Sequence, residues 1–480
     1  MALPLVLPFD LVVIGAGPAG GAAALAASEA GLRVVLIDES AAPGGQVYRA
    51  MPAGLSHSDG ALGPDERAGQ ALREAIAASS VTWKGGARVW SISGRYRIDT
   101  ASTAGCESFE APRLVAATGA HERIVPFPGW TLPGVIGLAG ATILMKSQGM
   151  VPGRRTLVAG CGPLLAAVAA KIIAGGGEVA AIVDLSSRAD WLKALPGLAS
   201  RPALLKQGIN WFLAIGMARV PVLFRHTIVR AEGENAVASV TASPVDGNGR
   251  LSGGPERTFE VDSLAVGHGL VPGAEIPRLL RSKLAFSAAS GGWIPVRDTF
   301  GRCSVEGLYA AGDGAEIAGA LPAAITGRLA GLAAARDSGA LDSARFEILS
   351  EVTLAAFRKT LAFSGAARDL MRPRPAMIED IAPDTVVCRC EDIRRSEIEA
   401  AIAAGASEVN QLKHFSRCGM GPCQGRMCGD TVAGLVALHA GSREAAGYWT
   451  GRPPLRPVPL SMLLGEFDYS DIPVPEPAPL

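Results

Sequence analysis

The sequence predicts an α/β fold with two Rossmann-like dinucleotide-binding domains, followed by a small α-helical domain rich in cysteine. Two stretches, starting near residues 10 and 155, have the pattern of a strand, a glycine-rich turn, a helix and a second strand. A third stretch, residues 388–428, contains five of the eight cysteines. At 480 residues the chain also exceeds what one hydrophobic core usually serves, so several domains are expected.

The first glycine-rich turn has every part of a dinucleotide-binding fingerprint. Gly15 permits the tight turn, Gly17 lets the backbone approach a pyrophosphate, and Gly20 allows a helix to pack closely on a strand. An acidic residue at the end of the second strand holds ribose hydroxyls in such sites, and Asp38 stands there, eighteen residues after Gly20. The residues predicted to bind the dinucleotide here are Gly15, Gly17, Pro18, Ala19, Gly20, Asp38 and Glu39.

Three further stretches favour FAD as the dinucleotide. They are Gly44-Gly45-Gln46 after the acidic residues, Ala117-Thr118-Gly119 after a short strand, and Gly312-Asp313 after an apolar run. These stretches resemble the flavoprotein disulfide reductase superfamily, in which the last aspartate holds the ribityl chain of FAD. An ordinary helix N-cap is the alternative role for Asp313. The resemblance implies that the FAD site is completed by Gly45, Gln46, Thr118, Gly119, Gly312 and Asp313.

The same resemblance implies an arrangement of domains in which one domain is inserted into another. Prolines near residues 372–375 break a helical stretch and mark a boundary, and the last residues are too rich in proline to form a regular element. The predicted units are a discontinuous FAD-binding domain (1–125 and 290–340), an inserted second dinucleotide-binding-like domain (126–289), a helical linker (341–380), a cysteine domain (381–440) and an extended C-terminal tail (441–480).

The second glycine-rich turn, Gly160-Cys161-Gly162, departs from the fingerprint at its third position. Leu165 stands where glycine or alanine is usual, and its side chain is expected to push the helix away from the strand. A working NAD(P)H site, a retained scaffold and a site for another adenine nucleotide at Gly160–Gly162 all remain open. Cys161 is predicted to be a small buried residue, and His268 a residue of the crossover back to the FAD domain.

The cysteines outside residues 388–428 argue against the chemistry of a disulfide reductase. Such enzymes need a redox pair of closely spaced cysteines near the flavin. Cys106, Cys161 and Cys303 are too scattered in the sequence to form one.

The five clustered cysteines point to a metal centre. Thiols this dense, in a chain without a secretion signal, favour metal ligands over disulfides. Cys388 and Cys390 stand in one turn, while Cys418, Cys423 and Cys428 are each five residues apart, so either C-x4-C pair can complete a set of four. Four thiolates suit tetrahedral zinc or a [2Fe–2S] cluster. Between the two cysteine groups, Ser396 to Glu399 has the form of a capping box that starts a helix.

The complete cysteine pattern resembles a known module. Cys388-Arg-Cys390-Glu, with Gly419-Met-Gly-Pro-Cys423-Gln-Gly-Arg-Met-Cys428, is similar to the bacterioferritin-associated-ferredoxin-like (BFD-like) [2Fe–2S] domain. Behind a GGQ-containing FAD domain, it resembles the α (A) subunit of heteromeric dye-linked dehydrogenases, the family of opine oxidases, hydroxyproline dehydrogenases and hydrogen cyanide synthase. The resemblance implies that Cys388, Cys390, Cys423 and Cys428 hold the cluster, and it leaves Cys418 as a fifth thiol.

The family resemblance implies an electron-transfer subunit that carries FAD and a [2Fe–2S] cluster. A catalytic β subunit of the amino-acid-oxidase type would oxidise the C–N bond of an amino acid or opine with its own flavin, and a small ferredoxin-like subunit is a second candidate partner. No residue in this chain has to act as an acid or base on an amine, which fits a relay subunit. The alternative is a stand-alone NAD(P)H-dependent flavoprotein reductase.

Charge and hydropathy exclude other classes of partner. Forty-five basic and forty-five acidic residues cancel, which argues against nucleic acid or an anionic membrane surface. The apolar start of the chain lacks the basic region of a signal peptide, and no window reaches the ~20 apolar residues of a membrane span. A cytoplasmic location is therefore expected.

Overall fold

The computed structural model describes residues 7–51 and 63–462. Its strands, in chain order, are β1 (Leu7–Pro8), β2 (Leu11–Ile14), β3 (Val34–Ile37), β4 (Thr82–Lys84), β5 (Arg88–Ser93), β6 (Arg97–Ser102), β7 (Gly105–Glu110), β8 (Leu114–Ala116), β9 (Ala120–Glu122), β10 (Val135–Gly137), β11 (Arg155–Gly160), β12 (Glu178–Asp184), β13 (Val222–Phe224), β14 (His226–Glu232), β15 (Ser239–Pro244), β16 (Arg257–Glu260), β17 (Ser263–Gly267), β18 (Leu270–Pro272), β19 (Leu284–Ser287), β20 (Gly292–Pro295), β21 (Leu308–Ala310), β22 (Val386–Cys388) and β23 (Ile393–Arg394).

The α-helices lie between and after these strands. They are α1 (Pro18–Glu29), α2 (Pro64–Ala77), α3 (Leu138–Gln148), α4 (Leu164–Ala174), α5 (Arg188–Ala199), α6 (Pro202–Met217), α7 (Glu275–Leu279), α8 (Ala320–Ser338), α9 (Ser343–Arg358), α10 (Leu361–Leu370), α11 (Ala376–Glu379), α12 (Arg395–Ala403), α13 (Val409–Ser416), α14 (Gly429–Ala440) and α15 (Arg443–Ala446). Short 3₁₀ helices occupy Gly312–Gly314 and Leu460–Met462. The predicted α/β class is confirmed.

The first sheet is parallel, with the strand order β21-β8-β2-β3-β4. Its central strands are buried on both faces, which explains why they read as uninterrupted apolar runs. Helices α1 and α8 pack together on one face, and glycines make the contact close: a Cβ on Gly327 would lie 1.9 Å from the carbonyl oxygen of Ala19. Strands β8 and β21 are neighbours although they are far apart in the sequence, so the sheet is assembled from two separate segments.

The other face of this sheet is covered by a feature that sequence reasoning did not identify. Strands β5, β6 and β7 form an antiparallel sheet, whose apolar side chains Ile98 and Phe109 share a core with Val12 and Ile37. This small sheet and helix pair α1–α8 enclose the parallel sheet between two layers.

The second sheet has the order β10-β17-β11-β12-β13 and is also parallel. Helices α3, α4 and α6 contribute to the core on one face, and the three-stranded sheet of β14, β15 and β16 packs on the other. Leu165 is buried in the helix core, so the fold accommodates the larger side chain at the third fingerprint position.

The helical region after β21 leads into the cysteine domain. Helices α12, α13 and α14 surround a core that includes Ile398, Leu412 and Val432. The capping box is shifted from its predicted position: α12 begins at Arg395, and Glu397, not Glu399, accepts a hydrogen bond of 2.8 Å from the amide of Arg394. Glu399 instead pairs with Arg395 at 2.8 Å, because Arg395 is already helical.

The described part of the predicted tail packs against the rest of the molecule. Trp449 joins the core of the cysteine domain, and the amide of Leu455 donates to the carbonyl of Trp90 at 2.7 Å. Burial of these apolar side chains explains the docking. Residues 463–480, which include the proline-rich end, lie outside the described residues. Within the described residues, no helix has the length and apolar character needed to cross a membrane.

Candidate cofactor sites

The residues predicted to bind FAD meet at the carboxyl edge of the first sheet. Gly15 follows β2, Thr118 and Gly119 follow β8 closely, and Asp313 follows β21. The approach is tight, because a Cβ on Gly15 would lie 2.3 Å from the carbonyl oxygen of Ala117. Ligands of open parallel sheets bind at this edge.

The first glycine turn leaves room for a phosphate at the N-terminus of α1. Gly17 is the N-cap and offers no side-chain cap, so the first amides of the helix remain available to an anion. The loop Gly44-Gly45 lies over this turn, since a Cβ on Gly45 would be 2.8 Å from Cα of Gly17. Gly20 holds α1 against the turn, because a Cβ there would lie 1.7 Å from the carbonyl oxygen of Gly15.

The predicted polar residues of this site fall into two groups. Asp38 turns inward: its carboxylate accepts from the amides of Ala16 at 2.6 Å and Ser40 at 2.7 Å. The side chains of Glu39 and Gln46 are exposed, and they contact Arg88 at 3.9 Å and Arg49 at 2.9 Å, respectively. The structure therefore brings Asp38 to the glycine turn and engages the other two elsewhere.

Asp313 is partly buried, and the loss of solvent around its carboxyl group raises the pKa of that group. One oxygen, Oδ1, accepts from the amides of Ala318 at 2.9 Å and Gly319 at 3.1 Å, just before α8. Within the described residues the other oxygen, Oδ2, has no hydrogen-bond partner. The alternative role as a helix N-cap is wrong, because the N-cap of α8 is Gly319, and Oδ2 of Asp313 remains available for the ribityl role.

The second glycine turn is filled by the protein itself. A Cβ on Gly162 would lie 2.5 Å from Cγ of Met371, so this side chain occupies the face on which a pyrophosphate would approach. The segment that carries Met371 is held by an ion pair of 3.1 Å between Arg374 and Asp190, and by the amide of Ala376, which donates to the carbonyl of Asn248 at 3.2 Å. A nucleotide at this turn would have to displace Met371.

The acidic residue of the second fold is also engaged. Asp184 ends β12, and its Oδ2 accepts a hydrogen bond of 2.8 Å from the indole nitrogen of Trp191, while Oδ1 accepts from the amide of Ser186 at 2.8 Å. Burial raises the pKa of Asp184 to about 6, although these two hydrogen bonds act to lower it. The carboxylate that would hold a ribose therefore faces a tryptophan.

Two further residues singled out in the sequence are buried near this turn. Burial raises the pKa of Cys161 to about 12, which keeps its thiol protonated and unreactive. Burial also lowers the pKa of His268 to about 4, with a smaller contribution from Arg123, so the imidazole is neutral at pH 7.

The five clustered cysteines come together in two groups. The sulfur atoms of Cys388, Cys418 and Cys428 all lie within 4.8 Å of one another, and all three residues are buried. Cys390 and Cys423 lie outside this group and are only partly buried. Cys418, which the family resemblance leaves as a spare thiol, is thus as central as the predicted ligands Cys388 and Cys428.

The surroundings of the sulfurs suit a negatively charged centre. Hydrogen bonds from Cys418 and Cys428, and from the amides of Gly419 and Glu391, lower the pKa of Cys388 to about 2 against the effect of burial. The loop has to be glycine-rich where it meets Cys390, because a Cβ on Gly421 would lie 2.3 Å from the Cβ of that residue. Amides directed at sulfur are a recognised means of tuning a redox centre.

Trp449 covers the cysteine loop, and sequence reasoning missed it. Cβ atoms on Gly419 and Gly429 would lie 2.8 Å and 2.7 Å from its indole ring, and its nitrogen donates to the carbonyl of Gly429 at 3.1 Å. Lys413 stands 6.0 Å above the same ring. The only signal was an isolated tryptophan in a tail rich in glycine and proline, which does not specify what it covers.

Buried ion pairs join the cysteine loop to the FAD-binding part of the chain. Arg426 donates to Glu275 at 2.8 Å and to the carbonyl of Cys423 at 3.0 Å. Glu275 opens α7 and stands two residues after Gly273, whose amide donates to the carbonyl of Gly119 at 2.9 Å. A continuous series of contacts therefore runs from the carboxyl edge of the first sheet to the cysteines.

A second buried pair fixes the same interface. Arg123, which follows β9, pairs with Asp430 in the first turn of α14, and Arg443 binds the same carboxylate. The hydroxyl of Thr431 donates to the carbonyl of Ile124 at 2.6 Å. Sequence reasoning had no means to find these pairs, because their partners are far apart along the chain.

Comparison with known proteins decides the family. The family model for pyridine nucleotide-disulphide oxidoreductases matches residues 9–339, and that for the BFD-like [2Fe-2S] binding domain matches residues 386–437. The A subunit of opine oxidase from Agrobacterium tumefaciens is 35% identical over 95% of this chain and 91% of its own length. The chain belongs to the opine oxidase A family.

One further relative and one solved structure are also similar to this chain. Hydrogen cyanide synthase subunit HcnB of Pseudomonas aeruginosa is 32% identical over 94% of this chain and 97% of its own length. The crystal structure of L-proline dehydrogenase from P. horikoshii superimposes with a TM-score of 0.69, covering 96% of this chain and 80% of that chain at 20% sequence identity. This last likeness concerns the fold alone.

As a member of the opine oxidase A family, the chain is an oxidoreductase with an FAD-binding flavoprotein domain and a [2Fe–2S] domain. The residues present fit both groups. The uncapped N-terminus of α1 and the free oxygen of Asp313 suit the phosphates and ribityl chain of FAD. The buried thiols and the amide of Gly419 suit a cluster held by thiolates.

Proposed function

We propose that this chain is the electron-transfer subunit of a heteromeric dehydrogenase whose partner subunit oxidises the C–N bond of an amino acid or opine. When bound, FAD supplies two-electron chemistry and the cluster one-electron chemistry, so together they connect a two-electron donor to a one-electron acceptor. The role of this chain's residues is to hold the two groups at a fixed separation.

The observation that carries the proposal is the contact series between the two cofactor sites. Gly119, at the FAD edge, bonds to Gly273, and Glu275, two residues after Gly273, pairs with Arg426 in the cysteine loop at 2.8 Å. Both residues of the pair are largely buried, with side-chain exposures of 11% for Glu275 and 19% for Arg426. A buried pair of this kind favours one fixed arrangement over a mobile one, which is what a relay requires.

The second glycine turn supports the same proposal against its rival. An NAD(P)H-dependent reductase needs an open nucleotide site, but Met371 lies against Gly162 and Trp191 holds Asp184 at 2.8 Å. We therefore infer that a partner subunit, and not a nicotinamide bound here, supplies the reducing equivalents. Anaerobic mixing with NADH or NADPH is the direct test, and rapid bleaching of the flavin would support the reductase instead.

The names of the relatives support the existence of a partner subunit. The matched proteins are named as subunits of opine oxidase and of hydrogen cyanide synthase, and both names imply further subunits. We propose a catalytic β subunit of the amino-acid-oxidase type as the partner, and the second candidate is a small ferredoxin-like subunit.

Purification of the complex from its native source, followed by a screen of opines, secondary amines and amino acids with a dye acceptor, tests this assignment. Substrate-dependent dye reduction is expected from the complex and not from this chain alone. Dye reduction by the isolated chain with an amine would place the amine chemistry here and contradict the proposal.

A further inference from the structure

The cysteine domain contains one thiol more than a [2Fe–2S] cluster needs, and the geometry limits which thiols compete. A [2Fe–2S] cluster has two irons, each with two protein ligands. Two thiolates on one tetrahedral metal, each at ~2.3 Å from it, lie less than ~4 Å apart. Cys390 and Cys423 lie outside the group of three cysteines whose sulfurs come together in the described structure, so we assign them to the same iron.

The second iron has three candidate ligands. Cys388, Cys418 and Cys428 have their sulfurs within 4.8 Å of one another. Cys388 ends β22 and is paired with Ile393 of β23, so strand pairing holds its backbone in place and we take it as the fixed member of the inner pair. Cys418 therefore competes with Cys428, and not with Cys423, for the remaining position.

The protein presents Cys418 and Cys428 in equivalent ways. The exposed fractions of the two residues are 0% and 1%, so neither sulfur has to leave solvent to bind a metal. Cys418 stands between Arg417 and Gly419, at the end of α13, and Cys428 is the N-cap residue of α14. Gly419 and Gly425, both with positive φ, lie in the loop between them and give it freedom to make a small adjustment.

We propose that Cys418 and Cys428 are interchangeable ligands of the inner iron, so that the cluster keeps four thiolates when either one is lost. This inference rests on the [2Fe–2S] domain and does not depend on the relay function.

Alanine variants test the proposal, because alanine cannot ligate iron. Cys418→Ala and Cys428→Ala are each expected to retain the iron content and the visible spectrum of the wild type. The double variant, Cys388→Ala, Cys390→Ala and Cys423→Ala are each expected to lose the cluster. Cys303→Ala, a partly buried thiol outside this domain, is the matched control. The readouts are iron and acid-labile sulfide per chain, electron paramagnetic resonance of the reduced protein, and FAD per chain as a measure of folding.

Loss of iron from Cys428→Ala with retention in Cys418→Ala would overturn the proposal, as would the reverse result or a cluster that survives in the double variant. If an alanine variant also loses FAD, the serine variant at the same position is used in its place, because serine keeps the side-chain volume of cysteine. An unchanged spectrum in both serine variants supports a set of four thiolates, whereas a spectrum shifted by oxygen ligation in either one contradicts exchange.

Discussion

Asp184 shows how one side chain can change the use of a whole nucleotide fold. Its place at the end of β12 is the ribose-binding position of the fingerprint, yet its carboxylate accepts hydrogen bonds from Trp191 and Ser186, both at 2.8 Å. Burial raises its pKa to about 6, well above the ordinary value of 3.8. The fold therefore disfavours the charged form of Asp184, and the difference between its pKa in the folded and the unfolded protein makes stability depend on pH.

The raised pKa of Asp184 predicts a stability that falls with pH. Between about pH 4 and pH 6 the folded protein keeps a proton that the unfolded chain has lost, so stability falls through this window and stays lower above it. The difference corresponds to about 3 kcal/mol when the carboxyl is fully charged. Asp184→Asn should therefore flatten the decline in melting temperature between pH 4.5 and pH 7.5.

The control for this prediction is Asp246, whose pKa is lowered chiefly by its hydrogen bond from the amide of Arg250. A lowered pKa contributes stability above the ordinary value that is lost as the pH falls, so Asp246→Asn should act in the opposite direction. If the melting temperature of Asp184→Asn follows that of the wild type at every pH, ionisation of Asp184 does not reduce the stability of the fold, and the prediction fails.

At this scale, sequence reasoning succeeded where a residue acts on its own neighbours. Gly15 and Gly20 have steric roles that follow from a local motif, and the structure places both at a close approach, whereas a Cβ on Gly17 would make only an ordinary contact at 3.8 Å. Met371 and Arg426 act on partners far along the chain, so no spacing rule could assign them. The sequence pattern left open which of Cys418, Cys423 and Cys428 pair, because equal spacing cannot rank three thiols.

Two helices of the FAD-binding part are held together by glycine. Gly327 in α8 faces Ala19 in α1, where a Cβ would lie 1.9 Å from the backbone oxygen. Gly365 in α10 is also a glycine inside a helix, but a Cβ there would meet nothing within 4 Å. The two positions therefore separate the effect of packing from the effect of helix propensity.

Gly327→Ala should destabilise the fold by about 3 kcal/mol, because the methyl group forces α8 away from α1. FAD should be lost as well, since α1 carries the glycine turn. Gly365→Ala should stabilise by about 0.5–1 kcal/mol through helix propensity. Thermal unfolding and FAD content of the two variants provide the comparison, and equal effects would contradict the packing argument.

The ion pair of Arg426 and Glu275 is the element-scale contact that fixes the cysteine loop. Removing one partner of a buried pair leaves an uncompensated charge, so Arg426→Met should cost about 3 kcal/mol. Glu275→Gln together with Arg426→Met should cost less than the sum of the two single changes, because the two residues are in contact.

The matched control is the exposed pair of Arg358 and Glu351, whose side chains are 62% and 65% exposed. Breaking it with Arg358→Met should change stability by at most about 0.5 kcal/mol. Chemical denaturation with iron release as a second signal measures both cases. Additive effects of the Arg426 and Glu275 changes on stability would contradict the claim that this ion pair fixes the cysteine loop.

The arrangement of the whole molecule followed from the sequence more readily than its internal contacts did. Long apolar runs beside glycine turns predicted the central strands of both sheets, and the late strand β21 joins the first sheet beside β8. The antiparallel layer of β5, β6 and β7 was missed, because its strands are short and half-buried. Docking of the cysteine domain depends on buried arginines, which composition does not reveal.

The central claim is that electrons from an amine oxidised in a partner subunit reach the [2Fe–2S] cluster of this chain. Electron paramagnetic resonance of the purified complex, frozen at intervals after anaerobic addition of the substrate found by screening, measures this directly. We expect the signal of the reduced cluster to rise with substrate, and to rise more slowly in the Arg426→Met variant at equal iron content. A cluster that stays oxidised while substrate is consumed, or that NADH reduces equally fast in the isolated chain, would contradict the account.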